Sequence, residues 1–108
     1  MTMQIILREI KDSNGYQYLG VELNQKGDLV FVGQDLGKFV KEYYGCIEYE
    51  WTWTIKARDI SQIELALGTK GDVLNTLKLQ FSGHNSYGLL DFLKKNNISY
   101  EEWHRIGD

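Results

Sequence analysis

The sequence predicts an α+β fold: an antiparallel sheet of about four strands with helices packed on one face. Three observations carry that expectation. The first third of the chain reads as strands separated by short polar turns. Residues 48–58 then alternate strictly between apolar and polar side chains. The second half changes to helical spacing, with capping residues ahead of each apolar stripe. Strands followed by helices is the order of a chain whose helices cover one side of an antiparallel sheet.

Taken in order, Gln4 to Ile10 is rich in β-formers, and Asp12-Ser13-Asn14-Gly15 supplies a turn ending in Asn-Gly. Tyr16 to Leu23 alternates, with Leu19, Val21 and Leu23 on one face. A polar loop over residues 24–28 returns the chain into a strand at Leu29 to Val32. Asp35 is a suitable N-cap for a helix from Leu36 to Tyr44, whose Leu36, Phe39, Val40, Tyr43 and Tyr44 share one face before Gly45. In Glu48–Arg58, odd positions hold Tyr49, Trp51, Trp53, Ile55 and Ala57, while even positions are polar. Strand side chains alternate between faces, so this segment reads as a strand with one apolar face.

Asp59 and Gln62 have the spacing of a capping box ahead of a helix with Ile60, Ile63 and Leu67 as its stripe, stopped at Gly68. Asp72 precedes a second helix with Leu74, Leu77 and Phe81 inward. A third is expected from Asn85 or Ser86, burying Leu89, Leu90 and Leu93 and ending in Lys94-Lys95, cations that suit a helix C-terminus. The tail from Ile98 to Ile106 favours a short helix through Ser99/Glu102 and the spacing of Tyr100 and Trp103, with an edge strand as the alternative.

The chain has 108 residues, 43% of them hydrophobic and 25% charged, which suits a single domain over 1–108. A net charge of −3 argues against nucleic-acid binding driven by phosphate neutralisation and suits a basic protein partner. Cys46 is the only cysteine, which fits a reducing compartment and excludes an internal disulfide. No signal-peptide pattern or run of the ~18 apolar residues needed for a membrane span is present. The expectation is a cytoplasmic protein with no membrane association.

Candidate chemistry is sparse. His84 and His104 lack metal-ligand spacing, and Cys46 follows a predicted helix end where thiolate activation is not favoured, so a hydrolase using Cys46, His84 and His104 is the weaker alternative. No phosphate-binding glycine loop, metal set or cofactor site is expected. Glu48 and Glu50 share one strand face about 7 Å apart. Trp51 and Trp53 lack the basic groove of a single-strand nucleic-acid binder and read as core, contributing roughly 2–3 kcal/mol each by burial.

The run VGQDLGKFVKEYYG followed by EYEWTWTIKARDI resembles small bacterial immunity proteins of contact-dependent growth inhibition and related polymorphic toxin systems. Gly33, Gln34, Asp35, Leu36 and Gly37, then Tyr49, Glu50, Trp51, Ala57 and Asp59, carry the likeness, and the tail NNISYEEW is similar to the family's ending. Lys38 and Lys41 depart from the pattern, which is more acidic there. The resemblance implies a non-enzyme that binds one toxin domain and covers its active site or substrate path. Many such toxins are nucleases with basic channels, which an acidic inhibitor can occupy by imitating phosphate. Asp35, Glu42, Glu48 and Glu50 are the implied contact acids, with Tyr43 and Tyr44 as aromatic anchors where exposed. A non-catalytic interaction or structural module of another kind is the alternative within the same class.

Overall fold

The structure, a computed structural model, describes residues 3–13, 15–37 and 48–107. β1 (Met3–Asp12) turns tightly into β2 (Gly15–Leu23), and a polar loop leads to β3 (Leu29–Gly37). Asn24 organises that loop, its Oδ1 accepting from the backbone N–H of Lys26 at 2.9 Å and of Asp28 at 3.0 Å. β4 (Glu48–Ile55) is followed by a 3-10 turn at Ala57–Asp59 and then α1 (Ile60–Leu67) and α2 (Val73–Phe81). A 3-10 stretch at Gly83–Gly88 enters α3 (Leu89–Lys95), and β5 (Glu101–Gly107) returns to the sheet. Among the described residues the strands form one sheet in the order β1-β2-β3-β4-β5, each pair antiparallel.

Register divides the sheet into two faces. Leu23, Leu29 and Ile55 align in one row, Val21, Phe31 and Trp53 in the next, and Leu19, Gly33 and Trp51 in a third. These face the helices and meet Ile63 and Leu67 of α1, Leu74 and Leu77 of α2, and Leu89 and Leu93 of α3 in one core. The sheet residues of that core all belong to this side. Gly33 is buried because it must be: a Cβ there would run into the Trp51 indole, which lies across it.

The alternation read in residues 48–58 is displayed by the sheet over Glu48–Ile55. Trp51, Trp53 and Ile55 are buried and Tyr49 is partly so. The pattern stops at Ile55, since Ala57 opens the 3-10 turn and is exposed. Buried Asp28 fixes that exit, accepting from the Ala57 backbone N–H at 2.9 Å and facing Lys56 Nζ at 3.8 Å. Gly68 stops α1 in a left-handed conformation with φ 77, donating back to Glu64 and Leu65.

Three expectations are corrected. Among the described residues the sheet has five strands, not about four. Asp35 does not cap a helix, because β3 runs on through Gly37 and pairs Asp35 with Gln17 and Tyr49, and Leu36 with Tyr16 and Glu48. Ladder hydrogen bonds on both sides of β3 outweigh a local capping signal. The remainder of that expected helix, including Phe39, Val40 and Gly45, lies outside the described residues. The tail is a strand, not a short helix, since the outer edge of β4 takes β5 as its partner from Thr54↔Glu101 to Glu48↔Gly107.

The helix starts also differ in detail. Asp59 makes no side-chain cap bond, because its φ −104, ψ −1 backbone belongs to the preceding 3-10 turn and not to an extended cap residue. Asp72 likewise makes no side-chain cap bond, and its carboxylate accepts instead from the Asn75 side chain at 3.4 Å. The segment at Asn85 and Ser86 is 3-10, and the α-helix begins at Leu89. Leu89 and Leu93 are buried there, while Leu90 is half-buried.

Candidate functional site

The side of the sheet away from the helices carries the two glutamates. On this open face Tyr18, Gln34, Glu50 and Arg105 align across four strands, and Tyr16, Leu36 and Glu48 align beside them. Arg105 Nη2 lies 3.3 Å from Glu50 Oε1 and 3.5 Å from Glu48 Oε1. Gln34 Nε2 donates to the same two oxygens at 3.4 and 3.3 Å. The strand thus presents paired carboxylates gripped from each flank by a neighbouring strand.

The pair does not titrate as two ordinary acids. A hydrogen bond from Glu50, with help from Gln34 and Arg105, holds Glu48 below the usual carboxylate range. The same shared bond, with desolvation, pushes Glu50 up, against the pull of Arg105. Two carboxylates this close titrate as a coupled pair, so their proton uptake belongs to the pair and not to either residue alone.

Two tyrosines extend the acidic patch. Tyr16 and Tyr18 stack with centroids 6.5 Å apart. The Tyr16 hydroxyl donates to Glu9 Oε2 at 2.6 Å, and that bond is the main reason its pKa is pushed up to about 12. Gln4 Nε2 donates to the Tyr18 hydroxyl at 3.1 Å. Sequence reasoning missed Gln34, Arg105 and this tyrosine pair as parts of the site. The signal for the tyrosines was present, since placing Leu19, Val21 and Leu23 inward on β2 puts Tyr16 and Tyr18 outward. Nothing local marks Gln34 or Arg105, because their role depends on the pairing of β3 and β5 with β4.

Asp35 is on the opposite face. It shares a row with Gln17 and Tyr49 on the helix side, near Arg8. A register shift between Ile6 and Arg8 brings Leu7 and Arg8 into the interior together, where Arg8 is 8% exposed. Its Nη1 donates to Ser86 Oγ at 3.1 Å, and its guanidinium lies 4.1 Å from the Tyr87 ring centroid. The Tyr87 hydroxyl donates in turn to Gln17 Oε1 at 2.7 Å. Desolvation pushes Asp35 up, and the charge of Arg8 opposes that without cancelling it. Arg8 Nε, Asp35 Oδ1 and Trp51 Nε1 are buried without a hydrogen-bond partner among the described residues.

The structure therefore brings Glu48 and Glu50 together and puts Asp35 on the other side of the sheet. Glu42, Tyr43, Tyr44 and Cys46 lie outside the described residues. Of the histidines, His84 packs edge-on against Tyr87 at 5.8 Å, while His104 stands on β5 with its ring 6.3 Å from Tyr49. No helix among the described residues is long and apolar enough to cross a membrane. Compared with known proteins, the chain matches no family model, no curated protein and no solved structure.

Proposed function

We propose that the chain is an immunity protein that binds a bacterial toxin domain, a nuclease with a basic substrate path, and blocks that path with the open face of its sheet. The observation that carries the reading is the Glu48–Glu50 pair, set side by side on an open sheet face and held in place by Gln34 and Arg105. Fixed carboxylates can occupy positions that a substrate's phosphates would take, and an acidic surface speeds the approach of a basic partner. Tyr16 and Tyr18 beside the pair supply the rigid rings that protein interfaces use as anchors. The resemblance of residues 33–59 to immunity proteins of polymorphic toxin systems supports the same assignment.

The test is co-expression with the toxin gene adjacent to its own, followed by titration of the purified toxin domain. Protection and a complex on size exclusion are expected. Glu48→Lys/Glu50→Lys should weaken that complex by ~10-fold or more, the scale of a lost charge contact at an interface. Asp35→Asn, on the other face, should leave it unchanged. Failure to protect, together with no complex, would reject the assignment.

A further inference from the structure

The two edges of the sheet are built differently. β1 is interrupted by the register shift at Leu7, and α2 and the 3-10 stretch at Gly83–Gly88 pack against it. Bulges and packed helices are how sheets discourage edge-to-edge pairing. β5 has a continuous register with β4 from Glu101 to Gly107, with no shift. Its residues 101–106 are all exposed, including Trp103 at 51% and Ile106 at 46%. An unbroken edge strand with exposed apolar side chains is a template for another strand.

The side chains of that edge are complementary to themselves. We propose that β5 pairs antiparallel with β5 of a second copy of this chain, about a two-fold axis at Trp103, joining two sheets into one. In this register Glu101 faces Arg105 of the second copy, Glu102 faces the second copy's His104, and the two Trp103 side chains meet. Residues directly opposite in an antiparallel pair project to the same face, so each of these contacts is made on one side of the joined sheet. A shift of the axis to Glu102 or His104 loses the Glu101–Arg105 match. It sets Trp103 opposite Glu101 in the first case and opposite Arg105 in the second. Only the register centred on Trp103 places opposite charges together on both sides of the axis.

The residues involved have capacity to spare. Arg105 reaches Glu48 and Glu50 through Nη2 alone, and a guanidinium carries five N–H donors in all. Glu101 is paired with Lys56 Nζ at 3.5 Å, yet its side chain is 66% exposed. The pairing is isologous and closes at two copies, because it consumes the only edge it uses. Both open faces then point the same way, so a dimer presents two Glu48–Glu50 pairs on one surface. This arrangement does not depend on what those pairs bind.

Sedimentation velocity on the full chain at about 100 µM, where weak interfaces are populated, should show a dimer. Cross-linking fixes the register, with Cys46→Ser as background. Trp103→Cys faces its own image at a Cα separation of ~4.5–5.5 Å, within disulfide range, and should cross-link on mild oxidation. Glu101→Cys is ~14 Å from its image and should not, while Glu101→Cys/Arg105→Cys should. Arg105→Glu should weaken dimerisation about tenfold by setting like charges opposite, and Glu101→Arg/Arg105→Glu should recover most of it. A monomer at ~100 µM, a dimer without this cross-linking pattern, or an edge that pairs only with an added toxin domain would each overturn the proposal.

Discussion

Gly33 and Trp51 form a single packing unit: the ring occupies the volume a side chain at position 33 would need. Gly33→Ala forces the indole to move or the strands to part. The expected cost is about 1–3 kcal/mol, the range for overpacking a well-filled site, read from urea unfolding with a change in tryptophan emission as the local marker. Asp35 poses the opposite problem, since its carboxylate sits partly desolvated with one oxygen unpartnered. Its folded pKa lies above the unfolded value, so its contribution to stability is greatest below the unfolded pKa and is lost as pH rises through the folded one. Asp35→Asn should therefore raise the urea midpoint at pH 7 relative to the parent chain, with the gain vanishing in acid below about pH 4. A lower midpoint at pH 7 would show that the charge of Arg8 outweighs the burial.

At the scale of elements, β4 was legible because its alternation is a local property of eight consecutive residues, 48–55, and needs no partner to be seen. The limits of β3 and the identity of β5 were not local. Asp35 reads as a cap until β2 and β4 claim its backbone on both sides, and Ser99–Ile106 carries helical spacing until the bare edge of β4 claims it. The candidate site was half legible for the same reason. Glu48 and Glu50 lie on one strand, whereas Gln34 and Arg105 reach them from two others. Asp28 is a further element-scale feature that composition alone does not reveal: a buried acid that ties the β2–β3 loop to the exit of β4. Asp28→Ala removes the partner of the Ala57 N–H and of Lys56. It should cost about 2–3 kcal/mol, measured as a lower urea midpoint with an unchanged slope.

Across the whole molecule, the sheet separates two kinds of charge chemistry. The helix side encloses Arg8 with Asp35, and the open side displays Glu48 and Glu50. If the chain binds a basic toxin domain as proposed, its net charge of −3 should steer that association at long range. Its association rate should fall several-fold between low and physiological salt while dissociation changes little, as stopped-flow measurements at two ionic strengths would show. A rate indifferent to salt would place the contact on an uncharged part of the surface.

The position of β5 in the chain also sets the order in which the sheet can be completed. β1 to β4 pair with their neighbours in sequence, so each can join as it is synthesised, whereas the Trp51↔His104 pairing must wait for the helices between them. Without residues 101–107, the strand that carries Trp51 and Trp53 would be the outer strand of the β1-β2-β3-β4 array. A ribosome-stalled or C-terminally clipped chain would expose that tryptophan-rich border to others like it. Docking of β5 thus moves the sheet's outer border from the strand bearing Trp51 and Trp53 to the strand bearing Trp103.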